Sequence, residues 1–187
     1  MKNLFLIGGG GHCKACIDVI ESMNAYKIKG IFDIKDKLGQ EILGYKIIGT
    51  DEDIKKYQSD ENYFLITVGQ IKSPELRKKL FNLDLNLATI ISTRAYVSKH
   101  AIVDSGSIIM HDALVNANAK VGKNCIINSK ALIEHDAVIE DHSHIATGAV
   151  VNGHCHVKAG SFIGSNTVLR QGTVIEENSV ISFGGKV

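Results

Sequence analysis

A register of six runs without a slip through the second half of this 187-residue chain. Starting at Val97, every sixth residue is aliphatic, through Val103, Ile109 and Val115 to Ile175, Ile181 and Val187, sixteen positions in all. Two residues before each stands a small one, from Ala95, Ala101 and Ser107 to Thr173, Ser179 and Gly185. If roughly a third of residues are aliphatic, the first register alone has chance odds on the order of 10⁻⁸. A helix repeats at 3.6 residues and a strand at 2.0, so neither explains a period of six. A parallel β-helix does, because each hexad lays one short strand and one corner, and a lone rung cannot bury its side chain without neighbours. Three-sided coils of eighteen residues turn the fifteen full periods into five coils, about 24 Å tall at the spacing of stacked strands.

Composition excludes several function classes. The formal net charge is +1 with charges dispersed, so no basic stripe speaks for nucleic acid. No apolar run reaches the roughly 18 residues needed to span a bilayer, and glycines interrupt the N-terminal apolar stretch too early for a signal peptide. A cytoplasmic protein is expected. The four cysteines do not read as a disulfide framework. Cys125 and Cys155 fall in the small inward phase of the hexads. Cys13 and Cys16 form a C-x-x-C, a redox signal on paper, yet Cys16 shares a helical face with Val19, Ile20 and Met23 and is expected to pack against a sheet.

The pattern changes near residue 93, giving an expected domain of residues 1–92 and a second of 93–187. In the first, Asn3–Ile7 reads as a buried strand. The run Gly8-Gly9-Gly10-Gly11-His12 follows, then a helix from about Cys13 to Met23. Further strands are expected at Ile28–Asp33, Tyr45–Ile48 and Tyr63–Val68. Thr50 with Asp53 could cap a short helix through Tyr57, and Ser73-Pro74 opens a helix to about Asn82. Alternating strands and helices make a small α/β sheet, about half of a doubly wound fold. Glycine lets backbone approach a diphosphate, and the amides opening the next helix are donors at a positive dipole end. Gly9, Gly10 and Gly11 are therefore candidate phosphate contacts, and Asp33 stands where a carboxylate meets a ribose hydroxyl. Cys13 replaces the third glycine of G-x-G-x-x-G, which argues against a dinucleotide oxidoreductase.

The hexads resemble those of the hexapeptide-repeat acyltransferases along their whole length. That resemblance implies a left-handed coil, a homotrimer and acetyl-coenzyme A as acyl donor in the groove between neighbouring prisms. Other motifs narrow it: the Gly-x-Gly-Gly-His turn, the strand ending Phe32-Asp33, the strand ending at Gly69, and Ile133-Glu134-His135-Asp136. Together they are similar to the bacterial sugar acetyltransferases of the bacillosamine and perosamine pathways and to the sialic-acid O-acetyltransferases. In the nucleotide-sugar members the α/β domain holds the UDP or GDP moiety, and the amine of a 4-amino-4-deoxy sugar is acetylated. O-acetylation of a sialic-type nonulosonate is the alternative within this chemistry, and a solenoid scaffold without turnover the alternative outside it.

An amine attacking a thioester must shed a proton, and a histidine can take it near neutral pH. The resemblance gives that role to His135, with Asp136 orienting it. Adjacent strand residues point to opposite faces, so the two cooperate only if the chain turns there. By the same resemblance His144 contacts coenzyme A, and Gly153 offers an amide to the oxyanion. Gly164 and Gly184 line the cofactor groove, while His12 and Gly69 face the sugar nucleotide, with helix capping the alternative for His12. His154, eighteen residues after Asp136, is expected to stack on it. The pairs His142-x-His144 and His154-x-His156 invite a metal reading, but twelve residues place them on different sides, and no metal cofactor is expected. Most relatives continue past the last hexad with a G-x-P-A-K-like tail. This chain ends Phe183-Gly184-Gly185-Lys186-Val187, so either it is cut short or coenzyme A is held by fewer contacts.

Overall fold

The computed structural model describes residues 1–71 and 73–187. They group into two compact units, Met1–Gly69 with Lys79–Ala88, and Gln70–Lys78 with Thr89–Val187. The segment Gln70–Lys78, read above with the α/β half, groups instead with the hexads.

The first unit contains β1 (Lys2–Ile7), α1 (Gly11–Met23), β2 (Tyr26–Phe32), β3 (Glu41–Ile42), β4 (Tyr45–Gly49) and β5 (Asn62–Ile66). The sheet order is β3-β4-β2-β1-β5, parallel except between β3 and β4. The two residues of β3 were too few to show as a strand in the sequence. Leu43 and Gly44 turn the hairpin with φ of 48° and 84°, as a two-residue loop between antiparallel strands requires. The short helix expected after Thr50 is a single 3-10 turn, Ile54–Tyr57. Asp53 reaches back to accept hydrogen bonds from the Thr50 amide and hydroxyl at 3.0 and 3.1 Å.

Alternation along the strands separates the two faces. Phe5, Ile7, Phe32, Phe64 and Ile66 share one cluster with Ile54 and Leu80, and the Phe5 and Phe64 rings stack at 5.6 Å. α1 buries Cys13, Cys16, Ile17, Val19 and Ile20, and Asn24 in the left-handed region closes it. Burial pushes the Cys13 thiol up to about 11. Low reactivity follows, because the thiolate is the nucleophile. The C-x-x-C pair is packing.

The second unit is the column. Sixteen two-residue strands, from β6 (Ile90–Ile91) to β21 (Val180–Ile181), stack into three parallel sheets of five, five and six. Pairing is always eighteen apart: Val115 meets Ile133 and Ile133 meets Val151. The inward aliphatic residues of the middle coils are fully buried, each stabilising the fold by about 1.5–3 kcal/mol. Those at the ends, such as Val97, Val103, Ile181 and Val187, are only partly buried because a coil is missing on one side.

Two details explain the rest of the hexad. Where the small inward residue carries a hydroxyl or thiol, a backbone carbonyl about one coil on accepts from it. Ser107 donates to Gly122 O at 2.6 Å, Ser161 to Glu176 O at 2.8 Å, and Cys155 to Arg170 O at 3.0 Å. A third register sets the corners. From Gly106 to Gly184, every sixth residue has φ between 54° and 75°, fourteen in succession. Thirteen of them are glycine, asparagine, aspartate or histidine, the types that tolerate this region, and the exception is Lys130.

Candidate active site

The corner after Ile133 carries the residues of interest. Asp136 belongs to the left-handed register, φ 60°, so the chain turns between His135 and Asp136 and puts both side chains on one side. His135 Nδ1 lies 2.8 Å from Asp136 Oδ2, and the histidine side chain is 51% exposed. Asn118, one coil earlier, donates to Asp136 Oδ1 at 2.6 Å. These two hydrogen bonds, that from Asn118 foremost, hold the Asp136 carboxyl below its ordinary value. An ionised acceptor keeps the proton of a neutral imidazole on Nδ1 and leaves the Nε2 lone pair available. His154, one coil later, has its Nε2 3.7 Å from Asp136 Oδ2, the stacking expected from their spacing.

Gly153 completes this corner. A Cβ at that position would stand 2.8 Å from His135 Cε1 and 2.9 Å from Nε2, so the imidazole rests on bare backbone. A glycine at this position leaves room for the ring.

His144, placed by the resemblance against coenzyme A, is instead 6% exposed. Its Nδ1 faces Gln70 O at 2.5 Å, its Nε2 faces Asn128 Nδ2 at 3.2 Å, and its ring meets the edge of Phe162. Gln70 also donates to Gly160 O at 3.1 Å. Nothing in the hexad spacing announces that Gln70–Lys78 covers this face of the column. Burial lowers the His144 pKa to about 4 against an ordinary 6.5. Between those values the unfolded chain takes a proton that the folded one refuses, so stability falls as pH drops from 7 towards 4. Thermal melts should show a destabilisation on the order of 2–3 kcal/mol over that range, which His144→Gln flattens.

Gly164 lines an open, mostly apolar notch of about 370 Å³ with Ile71, Phe162, Ser165, Val180, Ser182 and Phe183. Its own requirement is steric, since a Cβ would meet Phe183 N at 2.5 Å. Gly184, φ 65°, is a corner residue with open space around it. Another hollow of the column, of about 450 Å³ and bordered by Asp104, Lys120, Glu140 and Asp141, contains none of the expected residues.

In the first unit the strand order reverses between β1 and β5, and ligands of open α/β sheets bind outside the carboxyl ends at such a reversal. Gly9 to His12 follow β1, and Gly69 follows β5, with His12 Cβ 3.4 Å from where a Gly69 side chain would begin. Space around Gly10 and Gly11 is open. Gly10 is the N-cap of α1 and no side chain caps it, so His12 is not a helix cap. Asp33 is committed more heavily than the ribose reading allowed. Its carboxylate accepts the Gly9 amide at 2.7 Å, the Ile34 amide at 2.7 Å and Lys37 Nζ at 2.9 Å. Partial burial pushes its pKa up, but Lys37 and the two amides outweigh that and hold it low. An open cleft of about 480 Å³ adjoins it, lined also by Thr50 to Asp53 and Lys79.

Residues 3–83 match the family described as PglD N-terminal domain, and residues 118–153 match the bacterial transferase hexapeptide of six repeats. The chain is thus similar to a PglD N-terminal domain followed by hexapeptide repeats. The acetyltransferase domain of PglB from Neisseria gonorrhoeae FA1090 has the same fold, with a TM-score of 0.92 and 25% identity over 100% of this chain and 91% of that one. The same domain in complex with acetyl coenzyme A gives 0.90, covering 100% and 92%. A mutant of perosamine N-acetyltransferase from Caulobacter crescentus, in complex with CoA and GDP-perosamine, gives 0.67 at 21% identity, covering 97% of this chain and 91% of that one, and is a likeness of fold. An uncharacterized protein of Acanthamoeba polyphaga mimivirus is 39% identical over 108 residues, 57% of this chain, which spans about a fifth (21%) of that relative. The likeness to the bacillosamine and perosamine branch read from the motifs is borne out, and so is the α/β domain followed by a left-handed β-helix. Among the described residues no helix is long and apolar enough to cross a membrane.

Proposed function

We propose that this chain is an acetyltransferase that moves the acetyl group of acetyl-coenzyme A to the amine of a nucleotide-linked 4-amino-4-deoxy sugar. The observation that carries the reading is the His135–Asp136 pair, 2.8 Å apart and turned out to solvent at a corner of the column. His135 Nε2 accepts the proton as the nitrogen attacks the thioester carbonyl, Asp136 steadies the imidazolium, and coenzyme A leaves as its thiol. The Gly153 amide makes no hydrogen bond to a described residue and is the donor proposed for the oxyanion. Acetyl-coenzyme A is assigned to the column, where the notch beside Gly164 and the corner at Gly184 are the proposed lining. The PglB domain, bound to acetyl coenzyme A in one structure, supports the donor.

The nucleotide is assigned to residues 1–92, with Gly9, Gly10, Gly11, His12 and Gly69 at the reversal of strand order, and with Asp33 ordering the glycine loop. The perosamine enzyme, whose structure holds GDP-perosamine, supports a sugar nucleotide. A cytoplasmic homotrimer is part of the proposal. One outer face of the column stacks Tyr96, Leu114, Leu132, Val150 and Val168, an apolar stripe of the kind a second copy covers. The test is thiol release from acetyl-coenzyme A with UDP- or GDP-linked 4-amino sugars, set beside sialic acids. Turnover confined to the amino sugars is the expected result. Turnover with sialic acids alone moves the acceptor to oxygen, and release with neither removes the enzyme reading.

A further inference from the structure

We infer that the corner of His135, Asp136 and His154 is also an inhibitory site for a divalent late first-row metal ion, with zinc as the probe. Its effect on turnover rests on His135 being the base, whereas metal binding itself does not. The three residues offer one ligand atom each, all within 4.8 Å of one another, the only such group among the described residues. Zinc ligands stand 2.0–2.2 Å from the metal, which in a tetrahedron separates them by about 3.3–3.5 Å. The spacings here straddle that value, 2.8 Å from His135 Nδ1 to Asp136 Oδ2 and 3.7 Å from Oδ2 to His154 Nε2. The side chains are 51%, 33% and 58% exposed, so they can adjust, and a fourth position stays open to water.

The fold fixes this arrangement. Asp136 and His154 are successive members of the left-handed corner register, one coil apart, with φ of 60° and 58°. Asn118, one coil below, holds Asp136 Oδ1 and leaves Oδ2 facing both imidazoles. Such an outer-shell hydrogen bond is what orients a metal-binding carboxylate. The H-x-H pairs of the sequence are not the site. His156 faces Glu140 at 2.5 Å and His142 faces Asn124 at 3.0 Å, while His154 finds its co-ligands one coil below. All four cysteines are buried and do not compete for the ion.

Occupancy silences the base without covering it. With Asp136 accepting the Nδ1 proton, Nε2 carries the reactive lone pair. A metal on Nδ1 requires that lone pair instead, so the single proton of the neutral ring moves to Nε2. The nitrogen that must accept a proton from the acceptor amine then already carries one. The ion is thus an inhibitor, and turnover needs none.

Calorimetric titration of the full chain with zinc chloride, alongside acetyl transfer assayed with and without zinc, tests this. One zinc per chain is expected at micromolar concentration, with kcat lowered and KM values little changed, and magnesium without effect. His154→Asn keeps a residue suited to φ 58° and should weaken zinc binding by more than the roughly 10–100-fold that loss of an outer-shell partner costs, with inhibition shifted to higher zinc by the same factor. Zinc affinity unchanged in that variant overturns the site, as does inhibition by magnesium at equal concentration. Zinc bound at one per chain with kcat unaffected overturns the inhibition. His135→Ala, assayed without metal, reports separately on the base.

Discussion

His135→Ala is expected to lower kcat by about 10²–10⁴ while the circular dichroism spectrum and Tm stay at wild-type values. The ring lies outside the column, half exposed, and its contacts are a surface carboxylate, a glycine and the exposed His154 ring edge-on at 5.5 Å, so little folding energy leaves with it. A histidine that is merely solvated at its corner gives the same melting curve and undiminished turnover. Stability therefore does not separate the two, and kcat does. KM for acetyl-coenzyme A should move little, because the imidazole acts on the acceptor's proton rather than on the body of the donor. Turnover like wild type retires His135 as base and takes the tautomer argument for zinc with it, though not the metal site.

The column was legible because its rule is strictly local in period. A side chain every six residues either fits the interior or fails, and Ile133 or Val151 announces its place by type alone. The corner register was present in the same sequence but disguised. Gly106, Asp112, Asn118 and His154 share no size, charge or hydropathy, only tolerance of positive φ, and Lys130 breaks even that pattern. Stepping by six from Gly106 and asking which residues accept the left-handed region would have found it. It would also have shown that His135 and Asp136 flank a turn.

The helix that Ser73-Pro74 opens was legible, and it runs over Glu75–Phe81, but what Gln70–Lys78 packs on was not. That segment's ties to the column include the Gln70 carbonyl facing His144, the Gln70 amide on Gly160 O at 3.1 Å and the buried guanidinium of Arg77 on Asn124 O at 3.0 Å. Polar contacts between residues 47 or 74 apart leave no periodic trace. His144 shows the cost, since the motif that marks it as a cofactor contact is silent about what covers it. Asp33 shows a milder form. Its position at the end of β2 was readable, but the Gly9 amide and Lys37 that occupy it are matters of loop geometry.

Gly153→Ala is the sharper test of how the site is built, with an expected loss of about 10² in kcat and little change in Tm. The backbone there is not in the left-handed region, so alanine adds no φ strain, and it keeps the amide proposed for the oxyanion. What it adds is a methyl group 2.8–2.9 Å from His135 Cε1 and Nε2, closer than such contacts allow. The ring is the free end of a side chain and moves, which lengthens the 2.8 Å contact to Asp136 and shifts Nε2 away from the acceptor. Gly164→Ala is the matched control, because its methyl meets Phe183 N at 2.5 Å, backbone that cannot swing aside. That variant should lose about 1–3 kcal/mol of stability from overpacking. A double-mutant cycle then assigns the cause. If Gly153→Ala acts through the ring, adding it to His135→Ala costs no further activity. A second drop of similar size would place the methyl group's effect on the acyl group itself, and Gly153 would be a contact of the thioester rather than the floor of the imidazole.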